Sequence, residues 1–186
     1  MLLVIIFKIE VFNVIGIENK QVEMHKNFFD KCTVAIENGF FLEAIFIEYA
    51  AIEGRLEIIL GVLGLPCNKD LPNDLRRKVL ISHRIECLNR IFKMNKELFK
   101  KTKLEKTFFD KLKKWTEKRN TYVHGLYKNA NDYRERKGNS KQLAVSGELL
   151  ARKLYNEAKR LRRLKQRNSE LFQNSNLSCI KNNCKI

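Results

Sequence analysis

Apolar residues recur at helical spacing along most of this chain, and the longest such run lies between Phe40 and Leu63. At about 100° per residue, Phe41, Leu42, Ile45, Phe46, Tyr49, Ile52, Leu56, Ile59, Leu60 and Leu63 fall in one arc of about 140°. This predicts a core helix, ended by Gly64-Leu65-Pro66. A shorter stripe of Phe28, Phe29, Cys32, Ala35 and Ile36 predicts a first helix from about His25 to Glu37, closed by Asn38-Gly39. After a loop from Pro66 to Asn73, with Pro72 placed to start a helix, a third helix is expected from about Asp74 to Met94. It turns Leu75, Val79, Ile85, Leu88, Ile91 and Phe92 inward. A fourth segment runs from Lys96 to about Tyr122, with Lys101-Thr102-Lys103 as a candidate break and Leu98, Phe99, Phe108, Leu112 and Trp115 on its apolar side. Residues 127–140 read as a polar loop. The last helix, from about Lys141 to Arg167, carries Leu143, Val145, Leu149, Leu150, Leu154, Ala158 and Leu161 inward.

Two prolines and eight glycines in 186 residues leave little room for the turns of an all-β fold. The expected fold is therefore all-α, a single-domain antiparallel bundle of about five helices over residues 24–168. Residues 1–23 are expected to be an optional apolar extension, with Met24 as the working start. The Asn-, Ser- and Lys-rich tail 169–186 is expected to be disordered. The apolar run at the N-terminus is only seven residues long, too short to span a bilayer. It also lacks the leading charge and cleavage site of a signal peptide. Five scattered cysteines, Cys32, Cys67, Cys87, Cys179 and Cys184, form neither zinc spacing nor an even disulfide framework, and read as reduced thiols in a cytoplasmic protein.

Charge changes the picture most. Thirty-seven Lys and Arg against 21 Asp and Glu leave +16, which points to a polyanionic partner, with nucleic acid ahead of an anionic membrane surface. No membrane association is expected, because no basic amphipathic helix displays Trp and Phe as an interfacial anchor would. Ten lysines between Lys93 and Lys118 line one side of the fourth segment. Such runs are usually solvated faces. These lead directly to the stretch Glu117-Lys118-Arg119-Asn120-Thr121-Tyr122-Val123-His124-Gly125.

Phosphodiester chemistry on RNA needs a group that moves a proton near neutral pH and a fixed cation for the phosphate oxyanion, because the 2′-hydroxyl can itself attack. Histidine and arginine suit those roles. On an ideal helix Arg119 and His124 lie about 140° apart, whereas Asn120 and His124 share a face. Arginine and histidine converge only if the helix ends here, which Gly125 allows, or if two copies face each other. Glu53 falls inside the apolar arc of the core helix, with Glu48 and Arg55 at one edge. A carboxylate there needs a partner, and Arg119 is the candidate, so Glu53 is expected to orient the arginine. The plainer alternative is a partly exposed glutamate beside Gly54, or one paired with a lysine.

Arg119-Asn120-x-x-x-His124 resembles the Arg, four to six residues, His signature of the HEPN superfamily, over roughly residues 25–170. The resemblance implies a small all-helical, metal-independent endoribonuclease of the toxin or defence type, acting as a homodimer whose two motifs line one cleft. A protein antitoxin is a further partner it suggests, and no cofactor or metal is implied. The implied catalytic set is Arg119, Asn120, His124 and Glu53. Lys114, Lys118, Tyr122, Arg134, Arg136 and Lys137 are the candidate RNA contacts, and Tyr127 and Tyr133 are available for stacking. His83 is read as a surface or structural residue, and His25, near a helix start, has no better claim to a role. The alternative is a non-catalytic basic helical module that binds RNA or protein, with an arginine in the last turn favoured by the helix dipole and a histidine packed nearby.

Overall fold

Glycine stops the first two helices. The computed structural model describes residues 28–64, 81–125 and 133–173, apart from the side chains of 133–138, 171 and 173. Helix α1 (28–37) ends where Gly39 takes a positive φ of 78°. There the Phe40 N–H reaches the Ala35 carbonyl at 2.8 Å and the Gly39 N–H reaches that of Ile36 at 3.1 Å, which satisfies two terminal acceptors. Helix α2 (Phe41–Val62) stops the same way at Gly64, φ 74°. Then follow α3 (Ile81–Met94), α4 (Lys96–Lys100), α5 (Phe108–Gly125), α6 (Tyr133–Arg167) and α7 (Glu170–Gln173). No strand occurs among the described residues.

The all-α bundle is as expected, and so is the break after Lys100; Asn95 caps the start of α4 by accepting the Leu98 N–H at 2.9 Å. Three boundaries differ from expectation. Residues 133–140, read as loop, are helical: a polar stretch rich in Arg, Glu and Lys extends a packed helix at much lower cost than it would nucleate one. Helix α5 runs through His124 to Gly125 rather than ending before them. The tail expected from residue 169 begins with α7, which buries Phe172. The apolar extension 1–23, the start of the first helix, residues 65–80 with Cys67, Leu75 and Val79, and the tail beyond 173 with Cys179 and Cys184 lie outside the described residues.

Helix α2 is the hub, and its most extensive contact is with α6. Glu48 lies against Gly147, Arg55 over the Tyr155 ring at 4.7 Å, and the Lys165 ammonium donates to the Val62 carbonyl at 2.6 Å. The paired numbers rise together, so α2 and α6 run parallel, and the expected antiparallel arrangement fails for the principal pair. It holds for α5 against α6. Trp115 Nε1 donates to the Leu143 carbonyl at 2.9 Å, while Lys103 N–H, before α5, reaches Glu157 far along α6 at 3.1 Å.

The buried face of α2 is rotated from the apolar arc. Leu42 and Phe46 stay 37% and 46% exposed, whereas Glu48 and Arg55 are buried. On α6, Val145 and Leu149 likewise face outward instead of inward. Gly147 explains the rotation. A methyl group there would collide with Glu48 Oε2 and the Trp115 ring, so its absence lets α6 approach α2 around the carboxyl. Glu48 Oε1 accepts the buried Cys32 thiol at 3.3 Å and Oε2 has no partner. Burial pushes the Glu48 carboxyl up to about 9, the Cys32 hydrogen bond opposing and the Glu148 charge adding, so it is a neutral acid at pH 7.

Two predictions follow from this contact. Gly147→Ala is expected to lower stability by about 1–3 kcal/mol through overpacking, whereas Gly54→Ala, whose added methyl meets nothing within 4 Å, should raise it by about 0.5–1 kcal/mol; thermal unfolding of both variants checks the contrast. Because the folded Glu48 holds its proton up to about 9 and the unfolded one loses it near 4.5, the native state binds the extra proton and stability falls as pH rises through that window. Glu48→Gln should therefore flatten the decline of Tm between about pH 5 and pH 8, and an unchanged slope would assign the decline to other groups.

Candidate functional site

The C-terminal two turns of α5 carry the arginine and the histidine. Trp115 and Arg119 are one turn apart on the side that faces the bundle, so the buried Trp115 anchor sets Arg119 against α2. Because α5 continues through Gly125, His124 stays about 140° around the helix and about 7.5 Å further along it. It is exposed. Gly125 is the last described residue of α5, and the residues that directly follow it lie outside the described ones. Within one chain the two groups therefore diverge.

Arg119 is half-buried and held by aromatic rings. Its guanidinium carbon lies 4.1 Å from the centroid of Tyr49 and 5.4 Å from that of Phe46, on successive turns of α2. Nη1 donates to Asn120 Oδ1 at 3.1 Å, so Asn120 holds the arginine rather than the histidine. Nε is buried with no hydrogen-bond partner. Burial lowers the Arg119 pKa, with Tyr49 and Glu53 opposing, and the side chain remains a cation. Burial also raises the Tyr49 phenol, and the Glu53 charge adds to this.

Glu53 does not pair with Arg119. Its carboxylate, 42% exposed, meets Arg84 Nη1 of α3 at 3.6 Å, and that nitrogen also lies 3.4 Å from the Glu53 carbonyl. The nearer cation wins because Arg84, 4% exposed, needs the carboxylate more than the half-exposed Arg119, which has rings to rest on. Glu53 acts on Arg119 only through space. No carboxylate pairs with Arg119 among the described residues.

Of the other expected contacts, Lys114 and Lys118 are exposed on α5 and Tyr122 packs partly against the core. Arg134, Arg136 and Lys137 lie on the first turns of α6, not on a loop, with side chains outside the described residues; Tyr127 is also outside them. The lysine run is partly neutralised, since Lys100, Lys111 and Lys113 pair with Glu97, Glu105 and Glu86. His83 is exposed. The functional neighbours that sequence reasoning missed are Phe46, Tyr49 and Arg84. The first two were legible as aromatics of the same arc, two turns and one turn before Glu53; nothing in the sequence marked Arg84.

No group of three or more His, Cys, Asp or Glu side chains gathers into a metal-sized cluster among the described residues. No helix among them is long and apolar enough to cross a membrane. No protein-family model, no characterised protein and no solved structure matches the chain.

A double-mutant cycle tests the assignment of Arg119's partner. Tyr49→Leu with Arg119→Met should give a coupling of about 1 kcal/mol in denaturant unfolding, and Glu53→Gln with Arg119→Met one near zero. The reverse ranking would restore Glu53 as the orienting residue.

Proposed function

We propose that this chain is a metal-independent endoribonuclease of the HEPN type, working in the cytoplasm on an RNA strand, with Arg119 and His124 as its reacting groups. The observation that supports this reading is the state of Arg119: a cation with no carboxylate partner among the described residues, fixed on two aromatic faces at a half-exposed position. Such a guanidinium keeps its charge for a phosphate oxyanion and spends little on ordering when it binds one. In the reaction the 2′-oxygen attacks phosphorus and gives up its proton, the bond to the 5′-oxygen breaks, and that oxygen takes a proton. The products are a 2′,3′-cyclic phosphate and a 5′-hydroxyl. His124 moves one of these protons; the second falls to the His124 of another copy, because α5 carries a single histidine. A homodimer with α5 ends facing each other is therefore part of the proposal. An antitoxin protein covering the same surface is the further partner that the family resemblance suggests.

One observation favours a second reading. Arg119 and His124 point to different sides of one continuous helix, as expected if they serve separate contacts in a non-catalytic RNA- or protein-binding module.

Cleavage of a labelled structured RNA in EDTA separates the two readings. The wild type should cut and leave 2′,3′-cyclic phosphate ends, and Arg119→Ala and His124→Ala should each reduce the rate by about a hundredfold or more. RNA that is bound with a steep salt dependence yet stays intact across several substrates would establish the binding module instead.

A further inference from the structure

Beside Arg119 the stripe Leu42, Phe46, Tyr49 and Glu53 runs along one edge of α2. Its members have different surroundings. Tyr49 is half-buried under the guanidinium, Glu53 is turned to Arg84, and Phe46 and Leu42 remain 46% and 37% exposed. A large ring left open to water next to a cation that no described carboxylate pairs with is not explained by the core, whose α2 residues Ile45, Ile52 and Leu56 are already fully buried. Nor is the cation explained by a salt bridge among the described residues, because Glu53, the carboxylate of this stripe, is taken by the buried Arg84.

We infer that Phe46, Tyr49 and Arg119 form a nucleotide subsite for single-stranded RNA, in which a phosphate meets the open edge of the guanidinium and the adjoining base stacks on the exposed side of Phe46. The inference rests on the reading that RNA is the partner, though not on cleavage. Each residue has a separate task. Tyr49 is the shelf that fixes the guanidinium plane, and it does so without neutralising the charge, as a carboxylate would. Arg84 is a positioning residue one step removed: it keeps Glu53 away from Arg119 and leaves the phosphate position uncontested. Phe46 supplies a face that any base can use, so the subsite tolerates sequence while requiring an unpaired base. Leu42, one turn before Phe46, extends the apolar surface toward the start of α2. The net charge of +16 suits a polyanion on this edge better than an apolar protein surface.

The test reads binding alone. A fluorescein-labelled 2′-O-methyl RNA of about ten nucleotides, single-stranded and unable to be cut, is titrated in EDTA at several salt concentrations and followed by anisotropy. Phe46→Ala should weaken binding about tenfold or more with the salt slope unchanged, because stacking releases no counterions. Arg119→Ala should weaken it and make the log–log salt slope shallower by about 0.7, the signature of one lost phosphate contact on a single strand. Tyr49→Phe should bind as the wild type, and Tyr49→Leu should take on part of the Arg119→Ala slope change. Phe46→Trp should restore affinity and give an indole emission that RNA quenches, which a merely structural Phe46 would not. Wild-type affinity in Phe46→Ala overturns the subsite, as does a failure of the wild type to bind this RNA. So does a Phe46→Ala variant that changes only the sedimentation of the protein, since the face would then be an interface between copies. A chain that binds with the expected pattern but never cuts natural RNA keeps the subsite and loses the ribonuclease reading.

Discussion

The close approach of α2 and α6 at Gly147 is the constraint from which the other placements follow. With no side chain at that position, α6 can lie against the Glu48 carboxyl and the Trp115 ring at once, so three helices meet within one residue's width. Trp115 is then fixed by its hydrogen bond to the Leu143 carbonyl, one turn before Gly147 on the same helix. That fixes the register of α5, and Arg119, one turn beyond Trp115, has α2 as its neighbour whatever its own chemistry prefers. The arginine therefore rests on Tyr49 and Phe46 because of a glycine on another helix. The cost is a carboxyl kept neutral in the core with one oxygen unsatisfied, tolerable because the acid form desolvates far more cheaply than the anion.

Aromatic faces take over a task that carboxylates usually perform. With 37 cationic side chains and 21 acidic ones, ion pairing cannot satisfy every cation, and three arginines lie over rings: Arg55 on Tyr155, Arg119 on Tyr49 and Phe46, and Arg152 on Phe29. Arg152 also pairs with Glu148, at 2.7 Å, so its charge is largely answered. Arg119's is not. A ring holds a guanidinium in place through dispersion and its quadrupole while leaving the net charge visible from outside. A protein that has to attract a polyanion gains from that distinction, because order and neutralisation are separated.

Element type and the ends of the first two helices were legible in the sequence, for physical reasons that act locally: Gly39 and Gly64 supply the positive φ that ends a helix. What periodicity did not reveal was which way each helix faces. The apolar arc on α2 is real, yet α2 has neighbours on most sides, so the buried face was decided by how closely each could approach. Gly147 gave that advantage to the side bearing Glu48 and Arg55, and Phe46 was left at the rim. The partner of Glu53 was hidden for a related reason. Two arginines compete for it, and the outcome depends on which of them is more deeply desolvated, a property of packing that no spacing in the sequence encodes.

The continuity of α5 through Gly125 bears most on what the motif can do. Had the helix ended before His124, a loop could have folded the imidazole back toward the guanidinium, and one chain could have assembled both groups. A rigid helix forbids this, since the angle between the two residues is set by backbone geometry and not by side-chain choice. Arg119 is ordered in advance by Tyr49, Phe46 and Asn120, whereas His124 is exposed, so the two contribute unequally to any joint site. The fixed cation can define where a phosphate sits, while the histidine must be ordered by whatever surface arrives opposite the end of α5. Proton transfer is then conditional on that arrival, and anion binding is not. On the proposed ribonuclease reading, a chain built this way would hold RNA as a single copy and acquire chemistry only when something closes over it, which separates retention from cleavage within one short stretch of helix.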